Sequence, residues 1–546
     1  MTTLTDESSP LLEVRSVQRS LAGSLTDSEE RSEPNYRVLA AWWVGIATVA
    51  RLVSVARLPL GNGEAYYYSW SKFLDWSYYD HPPLVAWMAR ATTMLGASPV
   101  SVRLGPILAA GAFGLLLFRL AERLYRPRAA FLALVLVTAL PVFLGSSFVL
   151  NPEAPLAPLW VGFLLVLEGM RRRDEAYRPL LAGALLGFAF LAKYTGVLLV
   201  PAALIYVASS APTRRWLKRP SFYAGGAVAL LIALPVLVWN QARGWPSLHL
   251  HFVERATAVV PVAGENRINE LVSVSAGAGL GQVLLRVAMG QLIAYSPLLA
   301  PLLGMALVRS LRRSRLDDRD LFLTAFSWPV LLPLLAAMTR FKDAEQHWTM
   351  VAVVPAVMGA AHYADVTWSH GKDRWSRLMA FGGVALSAAA FLLGNVHARS
   401  TALLRLIPAE HYDPRADIIN ELVGWDQVRA SVRQAASAVP GRVVLASSHY
   451  SLCGRMLFEM GDWPPVYCPT ARRTAFDYFD RRDPPTNATV IALTDDIHDE
   501  VPAGLQDRAC KIVDQVDVER GGRRVARYFI QSCAPAPDPE DRASRE

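Results

Sequence analysis

A chain of 546 residues with 53% hydrophobic and only 19% charged residues, 15 Trp and a mean hydropathy of +0.25 departs from ordinary soluble domains and reads as a membrane protein. Its net charge of +8 does not point to nucleic acid, which is excluded as a partner. The Lys and Arg fall in short clusters between apolar stretches, the pattern by which a membrane protein orients itself.

The first 36 residues are polar, mixed in charge and rich in Ser and Glu, and no signal-peptide pattern precedes the first apolar run. Residues 1–36 are therefore expected to form a disordered cytoplasmic tail. Between residues 37 and 396, runs of roughly the ~20 apolar residues needed to span hydrocarbon recur eleven times. They lie near 38–57, 100–122, 128–149, 154–170, 179–192, 194–210, 221–240, 287–308, 320–338, 348–366 and 378–396. Alternate connections are basic, at Arg126 and Arg128, Arg171 to Arg173, Arg214 to Arg219, Arg309 to Arg315 and Lys372 to Arg377, and the positive-inside rule makes that side cytoplasmic. The stretch 179–210 has basic clusters at both ends, so it goes out and returns as two short helices with Lys193-Tyr194 at the outer turn. The expectation is a polytopic α-helical protein of the plasma (inner) membrane. It has about eleven transmembrane helices over 37–396, an outer loop over 58–99, a cytoplasmic N-terminus and everything after 396 outside.

All four cysteines, Cys453, Cys468, Cys510 and Cys533, fall after the last apolar run, which suits a compartment that permits disulfides. Cys453–Cys468 with Cys510–Cys533 is the simplest of three pairings; free thiols in a reduced domain are the other reading. Strand-like Arg442 to Ala446, a helical stretch from Leu452 to Met460, strand-like Thr489 to Leu493 and a hairpin around Gly521-Gly522 predict an extracytoplasmic α/β domain over 397–535. A disordered tail over 536–546 is expected to follow.

The outer connections hold polar residues whose place at a membrane edge needs a reason. Densest is Gly63-Glu64-Ala65-Tyr66-Tyr67-Tyr68-Ser69-Trp70 with Trp76-Ser77-Tyr78-Tyr79-Asp80-His81-Pro82-Pro83. This text suits short helices on the outer face with carboxylates toward a cavity; the plainer reading is an aromatic belt around a satisfied Glu. Asn151-Pro152-Glu153-Ala154-Pro155 makes a tight turn in which Pro152 breaks one helix and Pro155 starts the next. Lys193, Arg340, Lys342 and His347 are cations at a depth that suits a lipid-linked phosphate, with snorkelling as the plainer reading. His81, His249, His251 and His347 lack metal-site spacing on one element, so no metal is assigned, and nothing calls for a cofactor.

Together, Glu64-Ala65-Tyr66-Tyr67, Tyr79-Asp80-His81-Pro82-Pro83, Pro152-Glu153-Ala154-Pro155-Leu156, Lys193-Tyr194-Thr195, Trp239-Asn240 and His347-Trp348 stand in the order and topology of a known group. Residues 37–430, including Asp413-Pro414 and Gly424-Trp425, resemble a bacterial family 39 glycosyltransferase of the GT-C fold, a group related to protein O-mannosyltransferases and to the aminoarabinose transferases that modify lipid A. The resemblance implies a polyprenyl-phosphate sugar donor and inverting transfer to an extracytoplasmic glycan, lipid or protein. It also implies an active site under the first loop. Its first-loop motif usually reads Asp-Glu-Ala-Tyr-Tyr with the Asp as base, and here that position is Gly63. Inverting displacement needs one carboxylate to take the acceptor hydroxyl's proton, and the candidates rank Glu64, then Glu153 and Asp80. Lys193, Arg340, Lys342 and His347 are expected at the donor phosphate, with Tyr66, Tyr67, His81, Asn240 and Trp348 lining the sugar and lipid cavity. Two other readings compete. A lipid-linked sugar transporter predicts internal repeats, and none is evident. A degenerate member would bind the lipid-linked sugar without transferring it, a reading motivated by Gly63.

Overall fold

The computed structural model describes residues 34–255, 279–341, 344–369, 371, 373–470, 472–496 and 502–536. Nearly all of the expected N-terminal tail, the C-terminal tail beyond 536, and Lys342 lie outside the described residues.

Each of the eleven apolar runs falls on helical chain. Among the described residues seven helices are long and apolar enough to cross a membrane: Tyr36–Val55, Pro99–Leu124, Glu153–Arg172, Pro220–Ala242, Asp318–Arg340, Gln346–Ser369 and Arg374–Arg399. Two further helix pairs are bent: Tyr194–Ser209 meets Ala211–Lys218 at 102°, and Leu280–Ala294 meets Leu299–Arg313 at 106°. Pro127–Ala139 and Tyr177–Ala192 are shorter apolar helices. The run 287–308, which reads as one span, breaks between Ala294 and Leu299, where Pro297 has no N–H to donate and disfavours helical geometry at the residue before it. Ser296 takes a left-handed φ of 66° at the bend.

The bundle buries Leu117, Trp160, Tyr206, Phe326 and Val357 in its centre and turns Trp42, Ile46, Leu231 and Leu392 outward, as a hydrocarbon solvent requires. At the end that carries the basic clusters, the fully buried Glu168 gathers Arg123, Arg171 and Arg172 at 3.8, 3.2 and 2.6 Å. The opposite end carries the first loop, which folds as two helices, Asn62–Lys72 and Leu84–Thr93.

After the last long helix comes a five-stranded sheet: β1 (Val443–Ala446), β2 (Val466–Tyr467), β3 (Thr489–Asp495), β4 (Cys510–Arg520) and β5 (Arg523–Cys533), in the order β2-β1-β3-β5-β4. β1 pairs parallel with β2 and β3, while β3–β5 and β5–β4 are antiparallel. The hairpin turns on Gly521 and Gly522, both at positive φ (62° and 77°), the backbone a tight hairpin demands. Cys453 is bonded to Cys468 and Cys510 to Cys533; the second pair ties directly opposed residues of β4 and β5.

The sheet domain shares one hydrophobic core with the first loop. Leu60, Tyr66, Trp70 and Val85 pack with Trp425, Leu452, Met456 and Phe476. The approach is tight at Gly454, where an added Cβ would stand 2.8 Å from the backbone of Tyr66. Replacing Cys453 and Cys468 by Ser is expected to cost about 2–4 kcal/mol, because the bond closes a short loop in the unfolded chain, and to loosen this contact. Thermal denaturation of purified protein with and without reductant measures the loss.

Candidate active site

The site forms where the first loop, the start of the Glu153–Arg172 helix, the turn after Tyr177–Ala192 and the segment around His347 converge. Asn151 begins the second of these by accepting from the Ala154 N–H at 2.9 Å, which sets Glu153 in the first helical turn, where the helix dipole favours a carboxylate. Glu153 is buried and its Oε1 is shared: Lys193 Nζ donates to it, and His347 Nε2 lies 3.0 Å away. His347 Nδ1 meets Glu345 at 2.9 Å. Lys193 sits in extended backbone between the Tyr177–Ala192 helix and a 3-10 turn, so the expected outer turn puts its ammonium into this cluster.

Asp80 and His81 approach from the loop. The Tyr66 hydroxyl donates to Asp80 Oδ2 at 2.5 Å and itself accepts from the Ala475 N–H of the sheet domain at 3.1 Å. His251 Nε2 donates to the Asp80 carbonyl at 2.9 Å, which leaves Nδ1 to accept from Arg255 at 3.3 Å. The His81 ring stands between those of Tyr67 and His251, 6.1 Å from each. Burial pushes Asp80 above the usual carboxylate range, opposed by the Tyr66 hydrogen bond and by Arg472 and Arg255. Burial, with Lys193 and His251 as neighbours, holds His81 well below its ordinary value, and burial beside Arg255 brings His251 down to about 3. Both imidazoles are neutral near pH 7, so neither adds to the positive charge of Lys193, Arg255 and Arg472.

The other expected site residues divide. Tyr66 and Tyr67 join the cluster. Trp348 joins its edge, with Arg255 5.5 Å above its ring. Asn240 is held by Ser247 N–H and the Tyr194 hydroxyl at 3.2 and 3.4 Å and acts as a brace for Tyr194, whose ring packs 5.4 Å from His251. Arg340 is exposed in the last turn of its helix and pairs with no carboxylate among the described residues.

Glu64 is placed differently from its expected role as first-ranked base. Arg103 Nε and Nη2 grip its two oxygens at 2.9 and 2.5 Å, and the Gly61 and Leu150 N–H groups donate to them at 2.9 and 3.3 Å. A carboxylate with four donors has little capacity left to accept a substrate proton. The remaining donors of Arg103 hold the Leu58 and Pro59 carbonyls at 2.7 and 2.8 Å, so the pair pins the loop to the Pro99–Leu124 helix. Arg103, His251, Arg255 and Glu345 went unranked in the sequence; the one available signal was a lone arginine inside an apolar run.

A Cβ at Gly63 would meet nothing within 4 Å. Gly63→Asp is therefore expected to be accommodated, gaining about 0.3–1 kcal/mol from the helix N-terminus, and an unchanged or higher melting temperature checks this.

These features define a multi-pass membrane protein of the GT-C fold with a polar site beneath a roofed loop. Over the chain as a whole, the fold is similar to crystal structures of ArnT from Cupriavidus metallidurans. The apo form has a TM-score of 0.56 at 16% identity, over 90% of this chain and 97% of that one. The form bound to undecaprenyl phosphate gives 0.57 at 17% identity, over 92% and 98%. Residues 80–239 match the family model described as dolichyl-phosphate-mannose-protein mannosyltransferase. A lipid A galacturonosyltransferase, RgtD, of Rhizobium johnstonii (strain DSM 114642 / LMG 32736 / 3841) is 29% identical over 320 residues, which are 56% of this chain. The chain spans 61% of that relative's length. The chain is thus similar in fold to ArnT, and parts of it are similar in sequence to a mannosyltransferase family and to a lipid A galacturonosyltransferase.

Proposed function

We propose that the protein transfers a sugar, with inversion, from a polyprenyl-phosphate donor to an acceptor on the outer side of the inner membrane, and that its N-terminus is cytoplasmic. In this reading residues 37–396 form the catalytic membrane domain and 397–535 an extracytoplasmic roof. Asp80 accepts the acceptor hydroxyl's proton as the new C1–O bond forms. The bond from C1 to the phosphate oxygen breaks, and the electron pair leaves on the phosphate. Lys193, with His347 and Arg255, stabilises that charge, and Glu153 holds Lys193 and His347 in place. Glu64 positions the loop. The observation that carries this reading is the Lys193–Glu153–His347 cluster, whose Lys193 and Glu153 act electrostatically on His81, the residue next to Asp80 in the loop.

The acceptor is an envelope lipid or glycan, and RgtD's name supports lipid A as acceptor and a uronic acid as the sugar. Mass spectrometry of envelope glycolipids with and without the gene tests both at once. An unchanged glycolipid profile, with purified protein that binds the lipid-linked sugar but transfers it to no envelope acceptor, would leave only a binding role.

A further inference from the structure

Tyr66, which donates to Asp80, is itself held by two pieces of the sheet domain that are separate in sequence. Gly454, in the Tyr450–Met460 helix, lies against its backbone, and the Ala475 N–H donates to its hydroxyl at 3.1 Å. The Cys453–Cys468 bond joins these two pieces, because Cys453 directly precedes Gly454 and Cys468 lies in the stretch that leads to Ala475. That stretch pairs with the sheet through β2, an edge strand of two residues, which gives little hold of its own. Both sulfurs are buried in the core that the sheet shares with the first loop, together with Tyr66, Leu452 and Phe476. The second disulfide lies elsewhere. Cys533 packs with Val444, Val490 and Leu505 on the opposite face of the sheet and stands across from Val490 near the start of β3. Tyr450, whose ring packs on that of Tyr66, follows the end of β1, the parallel neighbour of β3. The two bonds therefore brace one domain at opposite ends, and only the first touches the loop that carries Tyr66.

Building on the proposed role of Asp80 as proton acceptor, we infer that the Cys453–Cys468 bond is a positioning element for the transfer: by linking the Gly454 and Ala475 contacts covalently, it holds the Tyr66 hydroxyl on Asp80. The bond touches no substrate and acts only through Tyr66. Without it, the Ala475 stretch is free to draw away, and the carboxylate loses both its orientation and a donor that favours its ionised form. Small misplacements of a reacting group are costly to the rate even when their origin is remote. Cys510–Cys533 closes a loop in the same domain with no part in this contact, which makes it the control.

The test compares two double variants of the full-length protein in detergent, Cys453→Ala with Cys468→Ala and Cys510→Ala with Cys533→Ala, by melting temperature, amide hydrogen exchange over residues 62–70 and the pH profile of transfer. Both are expected to melt lower than the wild type. Only the first is expected to speed exchange over 62–70, to slow transfer about 10–10²-fold and to move the acid limb up by about one pH unit, the scale of one hydrogen bond to a charged group. Tyr66→Phe should move the acid limb in the same direction, and adding it to the first double variant should move it no further. Ala475→Pro keeps the bond and removes only the N–H, so it should shift the acid limb upward as well; this variant decides the route if the first double variant does not fold. A first double variant that melts lower but keeps the wild-type acid limb and loop exchange overturns the inference, because the bond is then only structural. Equal shifts in the two double variants, or none in Ala475→Pro, also overturn it. A wild-type protein that transfers no sugar would defeat the transferase reading, and the exchange contrast between the two double variants would still decide whether the bond holds Tyr66.

Discussion

Asp80→Asn is expected to lower the rate of sugar transfer about 10²–10⁴-fold, the contribution of a positioned general base, while donor affinity stays largely unchanged. Asparagine keeps the shape of the side chain and can still accept from Tyr66, so the loss falls on the proton transfer. The wild-type pH profile carries the sign of the same group. Burial raises the Asp80 pKa, and only the ionised form accepts a proton, so transfer should fall as pH drops through a value above the ordinary carboxylate range. That acid limb should vanish in Asp80→Asn. Single-turnover rates against pH, with donor binding measured separately, check both. If Asp80→Asn keeps the wild-type rate and Glu153→Gln loses it, the base is Glu153.

The sheet domain reaches this group through one chain of hydrogen bonds. The Ala475 N–H holds the Tyr66 hydroxyl, which holds Asp80. Around that chain the Tyr66 ring packs 4.5 Å from Tyr450 and 5.3 Å from Trp70, and Tyr79 stacks on Tyr478 at 5.9 Å. The domain thus orients the carboxylate proposed as the proton acceptor, and the fit depends on Gly454 lying against the Tyr66 backbone.

The helices were legible because a membrane span is written as an uninterrupted apolar run, and the outer connections because polar residues are rare at that depth. The paired strands around Gly521-Gly522 were legible for a similar local reason, while β2, two residues long, is too short to show alternation. What the sequence hid was pairing at a distance. Glu64 looked available because its partner, Arg103, stands 39 residues away inside an apolar run, where it counts only as a tolerated charge. Glu153 and Lys193 are 40 residues apart, and His347 joins them from a third element. Asp80 ranked below Glu64 because text alone carries no record of how many donors already occupy a carboxylate. His251 was weighed only as a metal ligand and found wanting by spacing; its role as a neutral imidazole under the Asp80 carbonyl depends on a fold contact across 171 residues.

Arg103→Ala carries the second large effect, and it separates the two readings of Glu64. Both partners are 4% exposed, so the alanine variant leaves a buried carboxylate without its cation and strips the Leu58 and Pro59 carbonyls of their donors. Removing one member of a buried pair costs about 3–5 kcal/mol, enough to lower the yield of folded protein and its melting temperature markedly. Replacing both members, as in Arg103→Met with Glu64→Leu, removes the stranded charge and should recover a large part of that loss, because apolar side chains of similar volume often match a buried ion pair. Glu64→Gln should destabilise less than Arg103→Ala, since an amide keeps one acceptor oxygen toward the guanidinium. The folded fraction of Glu64→Gln should transfer sugar at close to the wild-type rate. Melting curves and active-fraction-corrected rates on the same preparations decide it. A Glu64→Gln protein that melts like the wild type but has lost turnover would return the base to Glu64 and make Asp80 a positioning residue.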